Sequence, residues 1–275
     1  MGCVGKMIFK VLAERQKLVI ASIIGVEQSA FVKRRNIIDE PLIVNEIITW
    51  AKVKKKEIFL FKVDFEKAFD NLNWGYLLDV LKQMGFGETW CGWIKGDLNS
   101  TEVSVLVNGS LTSTFKLEKG VRQGDPLSPY LFIVSMEGLT IAIKEATTKR
   151  LIKGVELPKM GPKVTNFHYT DDTFLIGVWK EQYMKNLMLI LICLHMASGL
   201  RINSGKSTMT GIGVPDQTIE RMATELRCKA RKLPFTYLGL PIGRSMTKVS
   251  SWNIPIDKFT KKTIELEREN AFHGR

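Results

Sequence analysis

The chain has 275 residues, enough to bury a substantial core as one large domain or two small ones. An apolar share of 45% excludes a disordered chain, and 40 Lys and Arg against 28 Asp and Glu give a net charge of +12. That excess points to a polyanionic partner, most simply nucleic acid, with an acidic membrane surface as the competing reading.

In chain order, residues 4–19 read as a helix with Lys and Arg on its outer face. Asp39 and Pro41 open a second helix carrying Leu42, Ile43, Ile47 and Trp50, which runs into the basic stretch Lys52–Lys56. Ile58 to Val63 is almost continuously apolar, as suits a strand buried on both faces. Asn73 can cap a helix from Trp74 to Met84 that Gly85 closes. Residues 102–108 and 111–117 alternate in type around Asn108-Gly109, a hairpin signal. Ser128-Pro129 opens a long apolar helix to about Ala146. Val164–Tyr169 and Thr173–Val178 form a second hairpin with Thr170-Asp171-Asp172 at its tip. A helix runs from about Glu181 to Gly199, then come Thr208–Val214, a helix near 216–227, and the apolar stretch Phe235–Gly243. Residues 244–275 are polar and basic, without a clear core of their own. The pattern is α+β with a mixed sheet.

Cys3, Cys91, Cys193 and Cys228 lack zinc-knuckle or redox spacing, and the histidines are His168, His195 and His273. A structural zinc site and a disulfide scaffold are therefore not expected. Reduced thiols suggest an intracellular protein, with nucleus and cytoplasm both open. No segment reaches the ~18 apolar residues of a membrane span, and no signal peptide is visible. Met1-Gly2-Cys3 has the look of an acylation site, but Lys6 stands where Ser or Thr is needed.

Asp64 ends an apolar strand, where a carboxylate is costly unless paired, although it could simply cap the next helix. Asp171-Asp172 alone reads equally as a solvated turn. Together the two sites sharpen. Carboxylates on adjacent strand ends raise each other's pKa, and a divalent cation removes the conflict. Two Mg²⁺ ions clamp the oxygens of an in-line phosphoryl transfer. Gly120–Pro129 is a Gly-rich turn leading into a helix, where backbone can approach a ligand closely. No P-loop or dinucleotide-binding glycine motif occurs, which leaves phosphate to metal and side chains.

These residues form a recognisable series. Phe61-Lys62-Val63-Asp64-Phe65-Glu66-Lys67-Ala68-Phe69-Asp70 resembles the first catalytic block of reverse transcriptases. Gly120 to Pro129, GVRQGDPLSP, resembles the second block in its non-LTR (LINE-type) retrotransposon form. Tyr169-Thr170-Asp171-Asp172 resembles the Tyr-x-Asp-Asp box. Ser198–Asn203 with Lys206-Ser207, and Tyr237–Ile242, resemble the blocks that follow. Gln28–Val32 and Arg35–Ile37 resemble the fingers segment of plant LINE elements.

The resemblance implies a right-hand polymerase, with a reverse transcriptase domain over 1–245: partial fingers over about 1–56 and a palm over about 57–245. Residues 246–275 would be a basic tail starting an incomplete thumb. It implies RNA-directed DNA synthesis from an RNA template, a DNA primer and dNTPs, with Mg²⁺ or substituting Mn²⁺. Asp64 and Asp171 would hold the metals with Asp172 in support. The Phe65 backbone would lie near the triphosphate, and Phe69 would stack under the sugar and exclude a 2′-hydroxyl. Gln123 and Gly124 would border the nascent base pair. Lys206 would protonate leaving pyrophosphate, or be one more surface lysine, and Arg35 would touch template or triphosphate. Asp70 would cap or pair structurally.

The sequence departs from the family pattern at Thr170, where Ala is usual, and at Arg34, where Gly is usual. Length departs too: the chain would be truncated at both ends, without endonuclease or Cys/His-rich segments. The expectations are therefore an active polymerase or a catalytically silent, basic nucleic-acid-binding remnant. In the remnant, Lys52–Lys56 and the basic residues after 227 would still hold phosphate; Lys52–Lys56 reads equally as a solvated helix end or a weak nuclear signal. A membrane-surface protein is the third reading, against which the core-like placing of the apolar residues argues.

Overall fold

A computed structural model describes residues 3–157, 161, 163–244, 252 and 256, so most of the basic tail lies outside the described residues. The helices are α1 (Cys3–Ile23), α2 (Asp39–Val53), α3 (Ala68–Asn71), α4 (Trp74–Gln83), α5 (Glu88–Asn99), α6 (Ser128–Thr148), α7 (Glu181–Ser198) and α8 (Asp216–Glu225). The strands in the first half are β1 (Ile58–Val63), β2 (Glu102–Val103), β3 (Leu106–Val107), β4 (Ser110–Leu111) and β5 (Phe115–Lys116). The second half adds β6 (Val155–Glu156), β7 (Lys163–Val164), β8 (Asn166–Tyr169), β9 (Asp172–Val178) and β10 (Thr208–Ile212). It closes with β11 (Lys229–Ala230), β12 (Phe235–Tyr237) and β13 (Leu240–Ile242).

Five strands form one mixed sheet in the order β11-β10-β1-β9-β8, in which only β10–β11 is parallel. β1 is central and buried on both faces, as its apolar run requires. Phe59, Phe61 and Val63 point into the larger core with α1 and α4–α7, among them Phe9, Leu77 and Phe132. Ile58 and Leu60 point the other way, under Val44, Ile47 and Ile48 of α2 and Phe235, Tyr237 and Ile242 of the β12–β13 hairpin. Each such buried side chain contributes about 1.5–3 kcal/mol, against about 0–1 kcal/mol for a surface ion pair. These two layers therefore hold the sheet.

Local signals place several ends. The Asn73 side chain accepts from the Tyr76 N–H at 2.9 Å and caps α4, while Gly199 at φ +78° ends α7. Asn108 and Gly109 both have positive φ, 48° and 82°, as a two-residue hairpin turn of this hand requires. The expected hairpin is real but interrupted, pairing Val107 with Ser110 near the turn and Val103 with Phe115 farther out. α5 was not foreseen, because Gly92 and Gly96 weaken its helical signal.

The β12–β13 hairpin is fixed by α2. Buried Asn45 donates through Nδ2 to the Pro241 carbonyl at 2.9 Å and accepts the Gly243 N–H at 2.7 Å. Asn45→Ala removes both bonds and strands two buried backbone groups, a loss of about 1–3 kcal/mol. We expect a Tm lower by roughly 3–10 °C in a thermal melt, against under about 2 °C for exposed Glu46→Ala.

Candidate active site

β1 and β9 are antiparallel, with Val63 opposite Thr173. Continuing that register by one residue sets Asp64 opposite Asp172. Side chains alternate along a strand, so Lys62, Asp64 and Asp172 share one face, the face covered by α2 and the β12–β13 hairpin. Asp171 stands in the two-residue turn between Tyr169 and Asp172, which pair. Three carboxylates thus meet at two neighbouring strand ends.

The Asp64 backbone is fixed on the far side by the loop before β10. Its N–H donates to Ser207 Oγ at 3.1 Å, and its carbonyl accepts the Asn203 N–H at 2.7 Å. Lys206 lies in this loop, exposed, next to the residues that hold Asp64. Phe65 is buried and bridges Ile202 as an antiparallel pair. The bonds of that bridge come from flanking residues (Glu66 N–H to the Arg201 carbonyl, Asn203 N–H to Asp64), so the Phe65 N–H and C=O point away from residue 202. Phe69 is half-buried and stacks on Phe132 with ring centroids 4.5 Å apart.

The Gly-rich segment wraps the chain that follows Asp64. The Gly120 N–H donates to the Leu72 carbonyl at 2.7 Å and the Val121 N–H to Phe69 at 2.8 Å, while Trp74 Nε1 donates to the Gly120 carbonyl. Gly120 has φ +83°, and a Cβ there would lie 2.6 Å from the Asp70 carbonyl oxygen, so the site requires glycine. Gln123 and Gly124 are exposed, and Gln123 Nε2 reaches Asp70 Oδ1 at 3.3 Å. Gln123 borders a cleft of about 850 Å³ lined also by Asn73, Lys119 and Arg122.

The Arg35 guanidinium donates to the carbonyls of Gly25 and Gln28, and to that of Ile24 at 3.1 Å. Those bonds shape the 24–35 loop. The loop then joins the sheet edge: the Ser29 N–H donates to the His168 carbonyl at 3.0 Å, and Gln28 Oε1 accepts the Thr170 N–H at 3.2 Å. Fully buried His168 sits between Asn166 and Thr173, and desolvation pushes its pKa down to about 3, so it is neutral.

Two residues that the sequence reading passed over complete the surroundings. Lys62 Nζ is 2.9 Å from Asp172 Oδ1 and 5.9 Å from the Tyr237 ring centroid. Buried Glu40 accepts the Tyr237 hydroxyl at 2.9 Å and the Ser29 hydroxyl. Lys62 had a visible signal, as the lone charge in an apolar strand. Glu40 looked like an ordinary acid in a first helical turn.

Asp171 keeps an exposed edge, yet its pKa is raised, first by desolvation and then by the like charges of Asp172 and Asp64. Among the described residues no three His, Cys, Asp or Glu side chains converge closely enough to hold an ion, and Asp172 is paired with Lys62. The donor chemistry still fits a hard divalent cation: the site offers only carboxylate oxygens, and their repulsion is what a cation relieves.

Thr170 and Arg34, where the sequence departs from the family pattern, both have left-handed φ, 57° and 70°. For a β-branched residue such as Thr170 this costs about 1–2 kcal/mol or more. Thr170→Gly should raise the Tm by roughly 2–6 °C in a thermal melt. A second expectation concerns Glu40, whose pKa burial raises to about 7 from 4.5. A carboxyl that binds its proton more tightly when folded contributes stability fully below its unfolded pKa and loses it as pH rises through the folded one. Denaturation curves should therefore show stability falling between about pH 4.5 and 7 by on the order of 1–3 kcal/mol more in the wild type than in Glu40→Gln.

Comparison with known proteins agrees with this geometry. The family model described as reverse transcriptase (RNA-dependent DNA polymerase) matches residues 1–242. The transposon TX1 149 kDa protein of Xenopus laevis is 30% identical over 206 residues, which cover 74% of this chain and 15% of that protein. A Pol polyprotein of the R2 element of Popillia japonica is 24% identical over 249 residues, covering 87% of this chain and 34% of that protein. The chain thus spans about a third or less of the length of these curated relatives, and they lend no support to a plant origin. In fold it is similar to apo telomerase from Candida tropicalis, with a TM-score of 0.58 at 12% identity over 86% of this chain and 39% of that one. No helix among the described residues is long and apolar enough to cross a membrane. The α+β sheet is thus that of a polymerase palm, and the chain belongs to the reverse transcriptase family of non-LTR retrotransposons.

Proposed function

We propose that this chain extends a DNA primer with dNTPs on an RNA template. The observation that carries the reading is the meeting of Asp64, Asp171 and Asp172 at adjacent strand ends in a chain of this family, with the Asp171 pKa raised by desolvation and then by the other two charges. Asp64 and Asp171 would hold Mg²⁺ or Mn²⁺. Divalent cations bound there supply charge neutralisation at the attacking and leaving oxygens of phosphoryl transfer.

The chain's own groups would do the positioning. The outward Phe65 backbone suits a triphosphate oxygen. Phe69, braced by Phe132, suits the face of the incoming sugar. Gln123, which lines the cleft, and the adjoining Gly124 would border the nascent base pair. Lys206, in the loop that holds Asp64, would donate a proton to the leaving pyrophosphate oxygen. Asp172 would serve as a supporting carboxylate. By this reading residues 1–56 are fingers, 57–245 the palm and 246–275 the start of a further segment.

A second reading, a nucleic-acid-binding remnant, is favoured by the strained backbone at Thr170 and Arg34. Primer extension on an RNA template in Mg²⁺, then Mn²⁺, separates the two. We expect extension by the wild type and at least a ~100-fold loss in Asp171→Asn. Extension unaffected by Asp171→Asn overturns the site assignment. No extension in either, with RNA binding that weakens steeply with salt, establishes the remnant.

A further inference from the structure

β1 carries a single charged residue, Lys62, in an otherwise apolar strand. Its side chain is only 23% exposed, so the ammonium needs a partner. It has two. Asp172 lies across the sheet one step diagonally, which brings the carboxylate to 2.9 Å. The Tyr237 ring presents its π-cloud 5.9 Å away, and the Tyr237 hydroxyl is in turn held by Glu40 at 2.9 Å. Lys62 is thus gripped between a carboxylate and an aromatic ring whose own position is set by α2.

The neighbours differ. Among the described residues neither Asp64 nor Asp171 has an ion-pair partner. The three carboxylates are therefore not equivalent: Asp172 has a cation at hydrogen-bond distance, whereas Lys62 acts on Asp171 only through its field and Asp64 has no ion pair among the described residues. We infer that Lys62 is a positioning residue that keeps Asp172 as its own counter-ion and leaves Asp64 and Asp171 as the pair open to a divalent cation. The inference rests on the proposed metal site and assigns a division of labour within it.

The test is Mn²⁺ binding to the full chain without nucleic acid, read from the free-ion electron paramagnetic resonance signal. The proteins are the wild type, Asp171→Asn, Lys62→Met, Lys62→Arg, Asp172→Asn and the Lys62→Met/Asp172→Asn double variant. Lys62→Met releases Asp172 toward the ion and should tighten binding about fivefold. Lys62→Arg should bind as the wild type does. In the Asp172→Asn background Lys62→Met should change affinity by less than about twofold, because the effect runs through Asp172. Equal tightening in both backgrounds would instead show diffuse repulsion between the ammonium and the ion, and would overturn the inference. So would no tightening in a folded Lys62→Met protein. Lys62→Gln serves the same comparison if the Met variant does not fold. Wild-type binding that is absent, or that survives Asp171→Asn, overturns the metal site itself and this inference with it.

Discussion

Like charges at the ends of a buried sheet set the terms for the rest of this protein. β1 can be central only if apolar surface covers both of its faces, and it is also the strand that delivers Asp64. Its antiparallel partner β9 delivers Asp172 at the same level, with Asp171 one residue away in the turn. Folding therefore forces carboxylates together, and the pKa of Asp171 is raised first by desolvation and then by this repulsion. One lysine cancels only part of it. What remains is a cluster of negative charge at the end of the sheet in a chain of net charge +12.

The blocks that assemble around this cluster are far apart in sequence, and backbone contact joins them more than side-chain chemistry does. The stretch from Phe69 to Trp74 acts as a common spine. Gly120 touches it so closely that a Cβ would meet the Asp70 carbonyl at 2.6 Å, and a Cβ on Gly199 would meet the Asn71 carbonyl at 2.3 Å. Both glycines also have positive φ, so each serves a turn and a close approach at once. Motif positions that look like ligand-binding glycines in the sequence owe at least part of their identity to this packing.

That distinction marks what the sequence could show. The Ile58–Val63 strand, the Asn73 cap, the Asn108-Gly109 turn and the Gly199 stop follow from local chemistry, and their ends fall within a residue or so of expectation. The meeting of Asp64 with Asp171 and Asp172 was legible because the strand pattern places carboxylates only at strand ends. α5, the two-residue β6–β7 pair and the parallel β11 were not legible, since too few residues carry each signal. The part Arg35 plays in shaping its loop was not legible either, since the three backbone carbonyls it binds come within reach only once the loop has folded. Glu40 and Tyr237, 197 residues apart, could be paired only in three dimensions.

The same loop explains why two departures from the family pattern act on one place. Arg34 takes a left-handed φ beside Arg35, which clamps the carbonyls of residues 24, 25 and 28. Gln28 in turn holds the Thr170 N–H, and Thr170, like Arg34, takes a left-handed φ. The Gln28 side-chain oxygen also accepts the Ala30 N–H at 3.0 Å, so its buried amide ties the loop to the carboxylate-bearing turn. Strain at Arg34 is therefore not confined to the surface: the loop that bears it is bonded to the turn presenting Asp171. The geometry of that carboxylate depends on a balance between the left-handed backbone at Phe31, Arg34 and Thr170 and the hydrogen bonds of Gln28, Ser29 and Arg35 that hold it in place.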